Sequence, residues 1–584
     1  MEEKWMVHTK RADFYGIAGR FGIDPVTARI LTNRGVKGDA AIEEYLHGGL
    51  DVLPSPLLMR DMEKAAALAD SKIAAGKRIR VIGDYDVDGI CASYILVKAL
   101  GMLGAEVDCD IPERIRDGYG LNIRLVEKAH ADGIDTIITC DNGIAAASEI
   151  ARAKKLGMTV IVTDHHEVPF ETEDGIKRET LPPADAVVDP HREGCAYPFK
   201  NICGAEVALK LVGVLFEKHG LCDPGTPVLL SSAMRPFVEA AGLAAVCDVM
   251  PLQGENRTLV RRSLELMQNT DITGLAALIR ANGIEGRPLT SYHFGFVIGP
   301  CLNAGGRLST AKKSLGLLLA DDYTAAETAA AELKALNEER KLMTERGTAS
   351  GIEQIEKGTC GDKVYVVYLP DCHESVAGII AGKLRERYEH PVIVITDSEG
   401  GLKGSGRSTE AYSMFEKLSE CKGHLTKFGG HPMAAGLSLL PEELEPLRRD
   451  LNACSGLEEK DFEKKVWIDV AMPFSYVTEK LINEFALLEP FGTGNPKPVF
   501  AEKGLRVVRK RLAGKNKNVL MLDLAEPNGN PVSAVMFNDA AAMYGRLAQG
   551  CRISALYYPS VNEYNGRRSL QMVITSCKCE SADV

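Results

Sequence analysis

The chain has 584 residues, too many for a single hydrophobic core, so three or four domains are expected. Hydrophobic residues make up 45% and charged residues 26%, the balance of an ordinary soluble globular protein, and a formal charge of -11 excludes a bulk polyanion binder while leaving room for a local basic groove. No run reaches the roughly 18 uninterrupted apolar residues that span a bilayer, and the N-terminus M-E-E-K-W-M-V-H lacks the apolar core of a signal peptide, so a cytoplasmic location is expected. The fifteen cysteines are odd in number, scattered and without C-x-x-C spacing, which fits reduced core thiols rather than disulfides or zinc. Cys577 and Cys579 are the nearest thing to a cluster.

Residues 1–58 read as a small helical preface closed by the Pro-rich turn L-P-S-P. From 59 to 320, short β-branched apolar runs alternate with helical patterns, and each run stops at an acidic residue. Residues 78–83 (R-I-R-V-I-G) run into Asp84, Asp86 and Asp88, and T-I-I-T-C runs into Asp141. T-V-I-V-T leads to Asp164, His165 and His166, and L-A-A-V-C leads to Asp248. Continuous apolar runs of this length read as strands buried on both faces, so the expected assembly is a parallel sheet with these residues at its carboxyl edge, where open α/β sheets bind ligands. Residues 321–357 are strong helix formers without proline and should make a long connecting helix. A second α/β unit follows over 358–455, with strands K-V-Y-V-V-Y-L and P-V-I-V-I-T flanking a helix. The remainder, 456–584, holds short β patterns spaced as in a small barrel of oligonucleotide-binding type, with Arg506, Arg509, Lys510, Arg511, Lys515 and Lys517 clustered in it.

Carboxylates gathered at one sheet edge repel one another unless cations neutralise them. Oxygen ligands with one imidazole suit Mn²⁺ or Mg²⁺, and two such ions about 4 Å apart can hold a bridging hydroxide and stabilise the entering and leaving oxygens of a phosphoryl transfer. A single strand-end Asp is usually a turn residue; four such ends together are not. Adjacent histidines after an Asp at the same edge point further toward this chemistry, one binding metal while the other turns toward a phosphate.

D-Y-D-V-D-G, C-D-N-G, T-D-H-H-E and C-D-V-M-P-L together resemble the four motifs of the DHH phosphoesterase superfamily. Within it the resemblance is strongest to the RecJ family of single-strand-specific 5′-to-3′ DNA exonucleases. I-P-E-R-I-R-D-G-Y-G-L (111–121), G-P-C-L-N-A-G-G-R-L (299–308), G-S-G-R-S (404–408), F-G-G-H-P-M-A-A-G (428–436) and E-P-F-G-T-G-N-P-K-P-V-F (489–500) extend it over nearly the whole chain. The resemblance implies a DHH domain, a DHHA1-like second α/β domain and an OB-type barrel. It implies that Asp86, Asp88, Asp141, His165 and Asp248 hold two Mn²⁺ or Mg²⁺ ions, with Asp141 bridging and Asp84 either a further ligand or a partner of one. His166 would contact the scissile phosphate. Arg114, Asn303 and Arg307 would bind phosphate near the metals, and Ser405, Arg407 and His431 would hold the 5′ end.

Two positions depart from the family pattern: Cys301 stands where a basic residue is expected, and Cys372 where a tryptophan is common. They bear on substrate affinity rather than on the metal set. In the barrel, Tyr557, Tyr558, Phe537 and Tyr564 are candidate base-stacking residues, although core packing is the commoner role for any one of them. The implied activity is that of a monomeric enzyme of DNA repair and recombination, acting on single-stranded DNA with a single-strand-binding protein or a helicase as candidate partners. A phosphodiesterase for short oligonucleotides or cyclic dinucleotides is the alternative within the superfamily; the extra barrel argues against it. A catalytically inactive DNA-binding scaffold is the alternative of another class, and the complete ligand set argues against that.

Overall fold

The computed structural model describes residues 3–580 apart from 174, 175, 360 and 565. The chain forms two compact units, Gly49–Glu463 and a smaller one made of Met1–Gly48 with Lys464–Val584.

The larger unit begins with a parallel five-stranded sheet in the order Val107–Asp110, Ile79–Ile82, Thr136–Cys140, Thr159–Thr163, Ala186–Val188. The central strands Ile79–Ile82 and Thr136–Cys140 are buried at every residue, including Arg80, whose guanidinium is held by Asp108 at 2.7 Å and Asp132 at 2.8 Å. Side chains alternate between two cores: Val81, Ile138 and Ile161 face the helices Val87–Met102 and Gly204–Lys218, while Ile82, Ile137 and Val160 face Ile123–Ala131 and Ala147–Lys155. The run L-A-A-V-C is not a strand. It ends the helix Arg235–Cys247, which starts with a proline in its first turn and is buried nearly all round, and a short apolar run cannot by itself distinguish a buried helix from a buried strand. Asp248 therefore approaches the sheet edge from a helix C-terminus, and the fifth strand is A-V-V before Asp189.

The helix Tyr323–Gln354, capped by Asp322 accepting from Ala325 N at 2.8 Å, leads to a mixed sheet. Its order is Lys427–His431, Ala434–Leu439, Gly401–Arg407, Val392–Ser398, Tyr365–Tyr368. G-S-G-R-S is consequently not a loop. Gly404 to Arg407 lie inside a strand that pairs on both sides, with Ser405 opposite Val394 and Gly436, so the ladder occupies the backbone N–H groups that a phosphate loop would offer.

In the smaller unit, Phe500–Ala513, Val519–Ala525, Pro531–Met536, Arg567–Cys579 and Arg552–Tyr564 pair in that order, and the last closes on the first. Ile30, Leu31, Ile42 and Leu46 of the N-terminal helices share one core with Phe485, Phe500 and Tyr557. The helical preface thus packs with the barrel segment; its amphipathic pattern shows that a face is buried, not which distant segment covers it. Asn495 of F-G-T-G-N is fully buried, donates to Leu488 O and Pro490 O at 2.8 Å and accepts from Tyr45 Oη at 3.0 Å.

Candidate active site

Three sheet strands and three helix ends converge on His165. Its Nε2 lies 3.0 Å from Asp141 Oδ1, 3.5 Å from Asp88 Oδ2 and 3.7 Å from Asp248 Oδ2. Asp141, His165 and His166 form one group whose ligand atoms can share an ion, and Asp88, His165 and Asp248 form a second. Asp84 and Asp86 fall outside these two groups. Asp86 caps the helix Val87–Met102, accepting from Asp88 N and Gly89 N, and Asp88 accepts from Gly204 N at 2.6 Å and Ala205 N at 2.8 Å at the start of another helix. Two positive helix ends thus bring carboxylates inward. Asp84 is fully buried, and its Oδ1 accepts from Gly120 N at 3.2 Å.

His166 is set differently. Its Nδ1 is 2.7 Å from Asp164 Oδ1, and Tyr119 Oη, which donates to Asp141 O at 2.7 Å, is 3.1 Å from its Nε2. Burial opposes the imidazolium, but the hydrogen bond and charge of Asp164 outweigh it and hold His166 up at about 9. His165 is pushed down, chiefly by burial, and so favours the neutral ring that a metal needs.

The carboxylates repel one another in the way that cation ligands do. Burial, then repulsion from neighbouring aspartates, raises Asp84, Asp86 and Asp141 above the ordinary range and pushes Asp248 up to about 9. Asp84 Oδ2 and Asp248 Oδ2 are buried with no hydrogen-bond partner. A donor set of hard oxygens with one neutral imidazole fits Mn²⁺ or Mg²⁺. Backbone strain collects at the same place: Asp141 and the β-branched Val249, next to Asp248, both have φ of 59°.

Beside this cluster, a cleft of about 490 Å³ is lined by Arg114, Arg307, Lys403, Ser405, Arg407 and Lys427, with Glu374 the acidic member, ion-paired to Lys403 at 2.7 Å. Arg114 lies over the Tyr85 ring at 3.9 Å. Arg307 donates to Ser375 O at 2.7 Å, and burial, then Arg114 and Arg340, lower it to about 9. A methyl on Gly306 would fall 2.5 Å from Tyr85 O, so glycine there lets the helix Gly299–Leu308 lie against the D-Y-D turn. Burial also lowers Arg407, whose Nη1 donates to Gly406 O at 2.8 Å.

The structure does not bring every expected residue to the cleft. His431 is exposed at the end of its strand and, like Asn303, is not among the lining residues, although Asn303 Oδ1 is buried without a partner. Cys301 is fully buried against Asn337 Nδ2 at 3.4 Å, so a side chain at 301 points into helix packing instead of toward phosphate. Cys372 is half-buried against the core around Val376. Tyr557 is a core residue donating to Met472 O at 2.8 Å. Tyr558 packs on Phe485 and Phe500 with Lys497 Nζ 3.7 Å from its ring centre, and Phe537 is 56% exposed. The Tyr564 side chain lies outside the described residues. Sequence reasoning missed Tyr119, Lys403, Lys427 and Asp189. Tyr119 had a signal, since Gly118 and Gly120 flank it with φ of 79° and 70° and turn the chain so that its hydroxyl reaches the cluster. Asp189 follows the shortest strand of the parallel sheet, and burial, then Asp164, raise it to about 8.

Residues 78–230 match the DHH family, N-terminal domain; residues 361–456 match the DHHA1 domain, and 468–576 the RecJ OB domain. The single-stranded-DNA-specific exonuclease RecJ of Bacillus subtilis (strain 168) is 35% identical over 556 residues, covering 94% of this chain and 68% of that protein. The enzyme of the same name from Escherichia coli (strain K12) is 31% identical over 582 residues, covering 94% and 95%. The crystal structure of RecJ in complex with Mn²⁺ from Thermus thermophilus superposes with a TM-score of 0.83 at 28% identity, covering 99% of this chain and 80% of that one. With motif order, domain content and fold in agreement along its length, the chain belongs to the RecJ family.

Proposed function

We propose that this protein is a metal-dependent exonuclease that removes nucleotides from the 5′ end of single-stranded DNA. The observation that carries the reading is the approach of Asp88, Asp141 and Asp248 to within 3.0–3.7 Å of a single imidazole nitrogen, beside a cleft lined with cations. Asp86, Asp88, Asp141, His165 and Asp248 would hold two Mn²⁺ or Mg²⁺ ions, with Asp84 a further ligand or a partner of one. When bound, the ions would lower the pKa of the attacking water and offset charge on the phosphodiester. His166, protonated and held by Asp164, would direct a positive N–H at a non-bridging phosphate oxygen. Arg114 and Arg307 would neutralise the same phosphate.

A cleft of about 490 Å³ is the size of a small-ligand pocket, which suits the end of a single strand. Such an enzyme would act in the cytoplasm as a monomer on strands freed during repair or recombination, with a helicase or a single-strand-binding protein supplying them. Single strands labelled at the 5′ or the 3′ end, with a duplex control, test this in Mn²⁺ and then EDTA. Label should leave the 5′ end first, from single strands alone, and stop on chelation; early release from the 3′ end would overturn the polarity.

Direction needs a pocket that reads a chain end. With the strand Gly401–Arg407 paired on both sides, that task falls to the side chains of Ser405 and Arg407. Losing a charge-assisted hydrogen bond to phosphate costs about 1.5–3 kcal/mol, roughly ten- to more than a hundredfold. Arg407→Ala should therefore shrink the rate advantage of 5′-phosphorylated over 5′-hydroxyl strands. An unchanged ratio would mean that Arg407 does not read the 5′ end.

A further inference from the structure

Both tryptophans of the chain lie on one small ribbon, in which the strand Lys4–Val7 pairs in parallel with Lys465–Ile468. The register sets Lys4 beside Lys465 and Met6 beside Trp467. Side chains alternate along each strand, so Lys4, Met6, Lys465 and Trp467 share one face, which His8 continues. On that face Trp467 is 46% exposed and stacks on His8, with 4.8 Å between centroids and 17° between planes. Trp5 is treated differently: Lys578 Nζ lies 5.1 Å from its ring centre, and its Nε1–H donates to Glu3 at 3.2 Å. Packing accounts for Trp5 but not for Trp467.

An indole held by stacking on one neighbour and nearly half exposed to water offers a flat surface to another ring. Lysines at the head of the same face offer charge to flanking phosphates. That combination grips single strands without regard to sequence. A partner protein that buried Trp467 would call for apolar neighbours; on this face only Met6 is apolar, while Lys4 and Lys465 suit a polyanion and His8 offers a ring for stacking. We propose that this ribbon binds single-stranded nucleic acid, with Trp467 and His8 stacking on a base and Lys4 and Lys465 contacting phosphates. Trp467 and the N-terminal strand lie outside the segments that match the three family domains. The proposal deepens the reading as a single-strand exonuclease and rests on it.

Because both tryptophans of the chain lie here, tryptophan emission excited at wavelengths where tyrosine does not absorb reports on this ribbon alone. In Trp5→Phe the emission comes from Trp467, and a long oligo(dT) should quench it. Binding is followed in parallel by anisotropy of a labelled strand in EDTA. Trp467→Ala, an exposed change that spares the core, should weaken that binding roughly five- to a hundredfold. Removing both lysines should flatten its salt dependence by about 0.7 for each phosphate no longer neutralised. Hydrolysis of a short oligonucleotide at saturation should be unchanged in all three variants, since none of these residues belongs to the metal cluster. Unquenched emission at saturating oligo(dT), or unchanged affinity in Trp467→Ala, would overturn the proposal, as would quenching by an acidic peptide and not by DNA. If instead the unaltered protein hydrolyses no single strand in Mn²⁺, it is the exonuclease reading that fails.

Discussion

Asp141→Asn should abolish hydrolysis and at the same time stabilise the metal-free protein. Asp141 gives an oxygen to the group it forms with His165 and His166, and of the three carboxylates around His165 Nε2 its Oδ1 comes nearest, at 3.0 Å. Loss of a group acting as one member of a catalytic unit costs on the order of a thousandfold or more in turnover. Asparagine is a better probe than alanine because it tolerates the φ of 59° that Asp141 adopts. The stability effect has the opposite sign. Burial and repulsion from Asp88 and Asp86 raise Asp141 well above its ordinary value of 3.8, so the folded metal-free protein holds a proton that the unfolded chain releases. That destabilisation is absent below the unfolded pKa and grows as pH rises through it, so the advantage of asparagine in EDTA should widen as pH rises above the ordinary carboxylate value of 3.8. Turnover near the unaltered rate would remove Asp141 from the metal centre, and a stability gain that shrinks with rising pH would contradict the repulsion.

Gly204→Ala should cripple the enzyme with a single methyl group. A Cβ on Gly204 would sit 2.6 Å from Asp141 Cβ and 3.0 Å from Asp141 Oδ1, while Gly204 N donates to Asp88 Oδ2 at 2.6 Å. The substitution therefore drives apart two of the carboxylates around His165. Overpacking costs about 1–3 kcal/mol of stability, and misplacing a reacting group by about 1 Å costs on the order of a hundredfold in rate. Gly101→Ala is the control, since a Cβ there meets nothing within 4 Å. Thermal unfolding and Mn²⁺-dependent turnover of the two variants check this; full activity in Gly204→Ala would show that helix Gly204–Lys218 does not set the site.

Much of this site is legible in the amino-acid sequence, because its residues sit where local pattern is strongest. Asp84, Asp141 and Asp164 follow short runs of four or five residues rich in Ile, Val and Thr, whose length and β-branching favour a buried strand, and a parallel sheet brings such ends to one edge. Asp248 reaches the same place from a helix because the Ala-rich run before it is apolar on every side, which hides the helical period. Arg407 and Ser405 reach the cleft from inside a strand because glycines 404 and 406 mimic a turn in sequence, while in space they admit Leu437 and Met414 against the sheet. His431 stays at an exposed edge, and the N-terminal helices join the barrel, for a common reason: tertiary packing between distant segments leaves no local trace.

A divalent-metal requirement seated at His165 and its carboxylates is tested most directly by stripping the protein with EDTA and titrating Mn²⁺ back. Release of a 5′ label from a single strand and the thermal midpoint are followed on the same samples. Binding to the folded state alone stabilises it by RT ln(1 + [Mn²⁺]/Kd), about 2.7 kcal/mol at a hundred times Kd. Activity and stability should therefore rise together in the unaltered protein, and Mn²⁺ should restore neither hydrolysis nor the full rise in stability in Asp141→Asn. Hydrolysis that survives in EDTA, or a thermal midpoint indifferent to Mn²⁺, would contradict it.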